Sequence, residues 1–272
     1  MPVRGRKKAS GAQSIERAIR VLRAVAAATA DGSTLSQVVA ASRLTKATVH
    51  RLLSVLVREG LVGRDEESKS YFLGEEIYAL GTLAAPRFGL HQLALPALHR
   101  LATMSQDSVF LLLIAGNDVV CVHREEGTHP IRTHVLQAGK RFPLGVGSFG
   151  VAILATMDDS EVERVMAVNC MRAIAAGYPQ FAGDRLWQFI RTARAKGYSV
   201  NPGLVCPDAW GIAVAVLDNR GQPIGVLTIG AIGSRMQEDR QPKLAAALKA
   251  EALALSRQLR NWRSNWRSSL AA

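Results

Sequence analysis

Apolar and polar positions alternate along this chain with two periods, and the places where the period changes mark its parts. From Gln13 to Ala30, Ile15, Ile19, Leu22, Val25 and Ala26 recur at the three-and-four spacing of one helical face, which predicts a first helix closed by a turn at Asp31 and Gly32. Thr34 with Gln37 three residues on has capping-box spacing, so a short second helix is expected from Leu35 to about Ser42. The third runs over Leu44–Gly60: Val49, Leu52, Leu53 and Leu56 form a buried stripe, Thr45 stands at the N-cap and Gly60 supplies the stop. Its other face carries Ala47, Arg51, Ser54 and Arg58. Two short helices joined through Ser42, Arg43 and Leu44 form the arrangement whose second helix enters a DNA major groove. The period then shortens. Leu61, Val62 and Arg64 precede a polar turn, Asp65 to Ser70, and Tyr71, Phe72 and Leu73 follow it, which predicts a β-hairpin and hence a winged helix-turn-helix.

Beyond Gly74 two helices are expected, Glu75–Leu83 and Gly89–Met104, separated near Pro86; the second carries Leu90, Leu93, Leu98 and Leu101 on one face. The remainder alternates strand and helix. Strands are predicted at Val109–Ala115, Val119–His123, Ile131–Leu136, Tyr198–Asn201, Ile212–Leu217 and Ile224–Ile229. A Gly-rich loop, Gly139–Gly150, leads to a short helix ending near Thr156, and further helices are expected at Ser160–Val168, Asp184–Lys196 and Gln241 to about Leu259, the last packing through Leu244, Leu248, Ala252 and Leu255. The fold class is α+β, divided into a basic arm (1–12), a winged helix-turn-helix (13–74), linker or dimerisation helices (75–104), one sensor-like α/β domain (105–260) and a basic tail (261–272).

With 272 residues, 48 % of them apolar, the chain has material for two cores. The net charge of +12 becomes informative once it is divided: residues 1–64 carry +9, residues 65–256 carry −1 and residues 257–272 carry +4. A basic N-terminal quarter on a neutral body points to a polyanion-binding module joined to a part with another task. Three cysteines, Cys121, Cys170 and Cys206, make no disulfide pattern and fit a reducing compartment. The opening MPVRGRKK resembles a secretory leader, but Glu16, Arg17, Arg20 and Arg23 interrupt the apolar stretch after it, and no run approaches the ~18 apolar residues of a membrane span. A cytoplasmic protein without a membrane partner is expected. In the tail, Trp262 and Trp266 lie a helical turn apart among four arginines, a pattern that suits a membrane surface or nucleic acid and suits better a frayed helix end packed on the protein or on its dimer mate.

For chemistry, Arg51 is the foremost base-reading residue, since a guanidinium bonds O6 and N7 of guanine together. Lys46, Ala47, Thr48 and His50 flank it, Thr45 offers its hydroxyl and the free N–H groups of the helix start to phosphate, and Arg64 with Lys69 equips the wing. Residues 145–150 spell G-x-G-x-x-G and raise a nucleotide-dependent enzyme as a rival. That fingerprint needs a hydrophobic strand directly before it, where Lys140, Arg141 and Pro143 stand here, and a full helix followed by a strand with an acidic tip. A thiol enzyme using Cys121 or Cys206 is a second rival, and a nucleoid-type protein without effector a third. Cys121, His123, His129 and His134 lie close in sequence but lack metal-ligand spacing, and no Ser/His/acid or paired-carboxylate arrangement appears, so no metal, cofactor or catalytic residue is expected.

In several stretches the chain resembles the IclR family of bacterial transcriptional regulators: QSIERAIRVLRAV (13–25), LTKATVHRLLSVLVREGLVGRD (44–65), YFLG (71–74), AGKRFPLGVGSFGVAILA (138–155), KGYSVN (196–201) and DNRGQPIGVLTIGAIGSR (218–235). The resemblance implies a winged helix-turn-helix, a linker helix used in dimerisation and a GAF/PAS-like effector-binding domain. It also implies a homodimer or dimer of dimers on a palindromic double-stranded DNA operator, controlled by a small carboxylate. By motif it places the effector site at Gly147, Ser148, Phe149, Asn201 and Thr228. The chain departs from the family pattern at Gly145–Ser148, where His-Ala-Thr-Ala is usual, at Phe149, where a small residue is usual, and at Asn201, where an acid is usual. An aromatic gained and an acid lost, with Trp210 nearby, suggest an aromatic or larger apolar acid as effector for a catabolic operon.

Overall fold

In the computed structural model, residues 12–27, 32–133 and 135–270 are described, with side chains for all of these except 85–88 and 262–270. Of the expectations above, the basic arm up to residue 11, Asp31, His134 and the rings of Trp262 and Trp266 lie outside the described residues or side chains. The chain divides into two compact units, Met1–Pro86 and Arg87–Ala272.

The first unit holds α1 (Gln13–Ala26), α2 (Leu35–Ser42), α3 (Lys46–Arg58), β1 (Val62–Arg64), β2 (Tyr71–Leu73) and most of α4 (Glu75–Phe88). Both predicted caps form. Thr34 Oγ1 accepts from Gln37 N while Gln37 Oε1 accepts from Thr34 N at 2.8 Å, and Thr45 Oγ1 accepts from Thr48 N. Arg43, in the left-handed conformation at φ 54°, makes the turn between α2 and α3. The core is Val21, Val25, Val38, Val49, Leu53, Leu56, Val62 and Tyr71, with Leu52 at its rim.

The C-terminal part of the predicted α1 stripe packs as expected, with Val25 buried and Leu22 against the core, and Val21 joins them. Ile15 and Ile19 depart from expectation and stay 63 % and 43 % exposed, because the first turns of α1 present another side to α2 and α3. The wing gains a third segment: Ser33 and Tyr71 exchange backbone hydrogen bonds of 2.8 Å each way. Gly32, at φ +78°, makes this possible, because a Cβ there would stand 2.9 Å from the Tyr71 carbonyl oxygen. The helix break expected near Pro86 falls instead at Gly89, since α4 continues through position 86 to Phe88.

The second unit opens with α5 (Leu90–Ser105) and contains β3 (Ser108–Ala115), β4 (Asp118–Glu125), β5 (Arg141–Pro143), α6 (Gly147–Leu154), α7 (Asp159–Ala175), α8 (Gly183–Lys196), β6 (Ser199–Cys206), β7 (Ala209–Leu217), β8 (Pro223–Ile232) and α9 (Gln241–Leu270). The strands form one sheet in the order β5-β4-β3-β8-β7-β6, every neighbouring pair antiparallel. Leu98, Leu101, Leu244, Leu248 and Leu255 of α5 and α9 pack on one face, with Val109, Leu111, Ile212, Leu227 and Ile229 of the sheet. On the other face Phe110, Leu112, Ala213 and Val226 meet α6, α7 and α8 through Val151, Ile153, Val162 and Ile190. This is the α+β architecture expected, with α5 built into the core of its own unit.

None of the described residues of Ile131–Leu136 is in a strand. The free edge of β4 is taken by the segment after it: Cys121 N donates to Lys140 O, Gly139 N to Cys121 O, and Val120 pairs with Arg141. A buried carboxylate closes the sheet end. Asp107, 3 % exposed, accepts from Arg235 Nε at 2.8 Å and from Arg240 Nη1 at 2.8 Å, and both guanidiniums also donate to the Ser105 carbonyl at the end of α5.

Candidate nucleic-acid interface and ligand pocket

The residues expected to meet DNA fall into two groups on α3. Ala47 and Arg51 lie on its exposed face with Ser54 and Arg58, clear of the core residues Val49, Leu53 and Leu56. Lys46 and His50, one turn apart, line a cleft of about 520 Å³ that also takes in Arg64, Ser68 and Lys69 of the wing and Thr34 and Ser36 at the start of α2. Thr45 and Thr48 lie at the helix start, their hydroxyls 2.9 Å apart. Arg64 is steadied by the Tyr71 ring, 5.7 Å from its guanidinium carbon. Asp65 shapes the wing turn by accepting from Ser68 N at 2.6 Å and Ser68 Oγ at 2.7 Å, bonds that hold its carboxyl below the usual range and keep it ionised. The α2 start was missed as part of this cleft, although its capping box marks a helix N-terminus, where free N–H groups favour anions.

In the second unit, Ser148 and Phe149 of α6, Asn201 of β6 and Thr228 of β8 line one pocket. Trp210 borders it, although its ring packs with the core of α5 and α9 and stands beside Gly233. Gly147 does not line the pocket; it begins α6 at φ +70° with the Phe149 ring against it. Phe110, Gly211 and Gly230 complete the floor, and sequence reasoning missed them because only the register of the sheet brings them there. Asn201 Oδ1 accepts from Leu204 N at 3.1 Å. The Thr228 hydroxyl is buried and has no hydrogen-bond partner among the described residues, an unusual state for a buried donor. Polar groups therefore converge on an apolar hollow beside the first turn of α6.

The glycines at 145, 147 and 150 have a structural explanation. Gly150 lies inside α6 against the backbone of Gly145, where a Cβ would be 2.7 Å from Gly145 N, and Gly145 itself has φ +114°. They let the chain fold back on its own helix. The strand before them, β5, has three residues and an antiparallel partner, which is not the parallel βαβ setting of a dinucleotide site. Cys121 is fully buried, and its burial pushes the thiol up to about 12, far from a nucleophile's range. Among the described residues no group of three or more His, Cys, Asp or Glu side chains is placed to hold a metal ion, and no helix is long and apolar enough to cross a membrane.

Two family models match the chain: the IclR helix-turn-helix domain over residues 14–66 and the bacterial transcriptional regulator IclR C-terminal domain over residues 82–257. The glycerol operon regulatory protein of Streptomyces coelicolor is 30 % identical over 249 residues, covering 91 % of this chain and 96 % of its own length. Among solved structures, an IclR transcriptional regulator from Alicyclobacillus acidocaldarius aligns with a TM-score of 0.72 at 25 % identity, covering 92 % of this chain and 98 % of that one. An IclR homologue from Microbacterium hydrocarbonoxydans, complexed with 4-hydroxybenzoate, shares the fold with a TM-score of 0.71 at 22 % identity, covering 92 % of this chain and 100 % of that one.

Proposed function

Since the chain belongs to the IclR family of bacterial transcriptional regulators, we propose that it controls a catabolic operon from the cytoplasm as a dimer or dimer of dimers. In this reading α3 enters the major groove of each half of a palindromic operator, with Arg51 and Ala47 toward the bases. Lys46, His50, Arg64 and Lys69 meet phosphates on either side, and Thr45 and Thr48 meet them at the helix start. The apolar surface of α4 supports a paired state, because Tyr78 and Leu83 are 80 % and 79 % exposed there.

The effector is a small aromatic carboxylate, and the observation carrying that reading is the Thr228 hydroxyl, without a partner among the described residues, in an apolar pocket next to the start of α6. Free N–H groups at a helix start favour a carboxylate, Phe149 and Phe110 suit a ring, and the 4-hydroxybenzoate of the Microbacterium homologue is a ligand of that class. The pocket is narrow, so a ring has to displace side chains to enter. An effector that binds one arrangement of the protein better than another shifts it toward that arrangement, and operator affinity follows. The protein has no need of a cofactor or a catalytic group in this role.

A gel-shift titration against the DNA upstream of its own gene tests the core of the proposal. The expected result is a sequence-selective complex that weakens steeply with salt as phosphate contacts are screened. A complex of equal strength on unrelated DNA would instead mark a nucleoid-type protein.

A further inference from the structure

His91 and His99 stand about two helical turns apart on α5 and so share one side of it. Between them, on β4, lie His123 and Glu125. His91 Nε2 is 3.3 Å from His123 Nδ1, His123 Nε2 is 3.3 Å from Glu125 Oε2, and Glu125 Oε1 is 3.1 Å from His99 Nδ1. This row runs along the α5 side of the sheet, on the face opposite the pocket that holds Thr228. The His123 and Glu125 side chains are 25 % and 29 % exposed, so solvent and small ions reach them.

A β-bulge puts His123 there. Cys121 and His123 are two residues apart and on a regular strand would share a face. Here Cys121 pairs with Leu112 and His123 with Leu111, consecutive residues of β3, and Val122 is the extra residue between them. Cys121 is thereby turned into the core with Leu112, and His123 is turned toward α5. A bulge gives up regular pairing, and it commonly re-aims a side chain for use.

The distances within the row suit a shared ion better than a hydrogen bond. At 3.3 Å the two ring nitrogens are far apart for a hydrogen bond, and they have the separation of two nitrogens on one tetrahedral zinc ion, about 3.3–3.4 Å for bonds of ~2.0–2.1 Å. The far side of His123 is arranged as a metal-bound imidazole requires. Its Nε2–H donates to the Glu125 carboxylate, which fixes the tautomer and leaves the Nδ1 lone pair toward His91. His99 holds that carboxylate from its other oxygen. His91 offers Nε2 once its own proton is on Nδ1.

We infer that His91 Nε2 and His123 Nδ1 together bind a zinc ion, with Glu125 orienting the His123 ring and water filling the remaining positions. Structural zinc sites have four protein ligands, so a site with two is an exchangeable one that fills and empties with the supply of metal. Filled, it ties the first turn of α5 to β4.

The test is a calorimetric titration of zinc chloride into the untagged, metal-free full chain, together with NMR of the histidine ring nitrogens. One saturable site is expected, and filling it shifts His91 Nε2 and His123 Nδ1 while the nitrogens of His129 stay in place. His91→Asn, His123→Asn and Glu125→Gln each weaken zinc binding about tenfold or more, and His129→Asn leaves it within about twofold. Magnesium, which takes oxygen ligands, does not compete. Zinc held by His91→Asn as tightly as by the unaltered protein overturns the inference, because the ion then sits on other side chains. The absence of a saturable site overturns it as well. If a variant unfolds, the ring-nitrogen shifts of the unaltered protein decide alone: zinc that moves neither His91 Nε2 nor His123 Nδ1 sinks the site.

Discussion

Arg51 and Asp107 are both charged, and their surroundings give them opposite kinds of importance. Arg51 is exposed on α3, away from the buried Val49, Leu53 and Leu56. Its replacement by Ala is expected to cost about 1–3 kcal/mol of operator discrimination, read as a loss of selectivity in competition gel shifts, with an unchanged melting temperature. An unaltered footprint would mean that the wrong face of α3 had been assigned. Asp107 is buried between two arginines, and removing it leaves their charges without a counter-ion. Asp107→Ala should therefore destabilise the second unit by about 3–5 kcal/mol in urea unfolding. At the start of α2, Thr34→Ala removes half of a capping box and should cost about 1 kcal/mol of the first unit's stability.

Elements meet in pairs, and the pairing of α5 with β4 makes the protein sensitive to pH. His91 Nε2 lies 3.3 Å from His123 Nδ1, His123 Nε2 lies 3.3 Å from Glu125, and Glu125 lies 3.1 Å from His99 Nδ1. Burial, and then repulsion from His123, hold His91 below its ordinary value of 6.5. A histidine with a depressed folded value resists a proton that the unfolded chain accepts. Its contribution is intact above pH 6.5 and is lost as pH falls through the folded value. Glu125, lowered chiefly by its bond from His99, adds a separate loss below 4.5. Melting temperature should thus begin to fall below pH 6.5, and His91→Asn should flatten that first step while leaving the acidic one. A second element-scale expectation concerns α4. Leu83→Glu on its exposed face should shift sedimentation toward the monomer and weaken operator binding, with both units still folded.

Across the whole molecule, what could be read from the chain follows the range of the interactions involved. The two caps and the wing hairpin are local, and Thr34 with Gln37, Thr45 and Gly60 announce them within a few residues. The buried stripe of α1 is legible only in part: Val25 was in the predicted stripe, but Ile15 and Ile19 have the same spacing and stay exposed, while contact with α2 and α3 buries Val21. Ile131–Leu136 has strand composition and no edge to join, because Gly139–Pro143 occupies β4 first. In the pocket, Ser148, Asn201 and Thr228 were reached only through resemblance. Gly211 and Gly230 were out of reach altogether, since nothing in the order of residues states that positions 211 and 230 are neighbours.

The pair of hydrogen bonds between Ser33 and Tyr71 gives the DNA-reading unit a natural gauge of its own integrity. A two-stranded hairpin on its own opens readily, and its amides exchange with solvent almost freely. Tyr71 N–H, however, is held by a residue that precedes α2, and the Tyr71 ring is buried in the core with α1 and α3. Its deuterium uptake should therefore be slow and keep pace with core amides such as Leu53, while that of Ser68 at the wing tip is fast. One backbone amide, followed by exchange, would report when the whole unit opens and whether a bound operator keeps it shut.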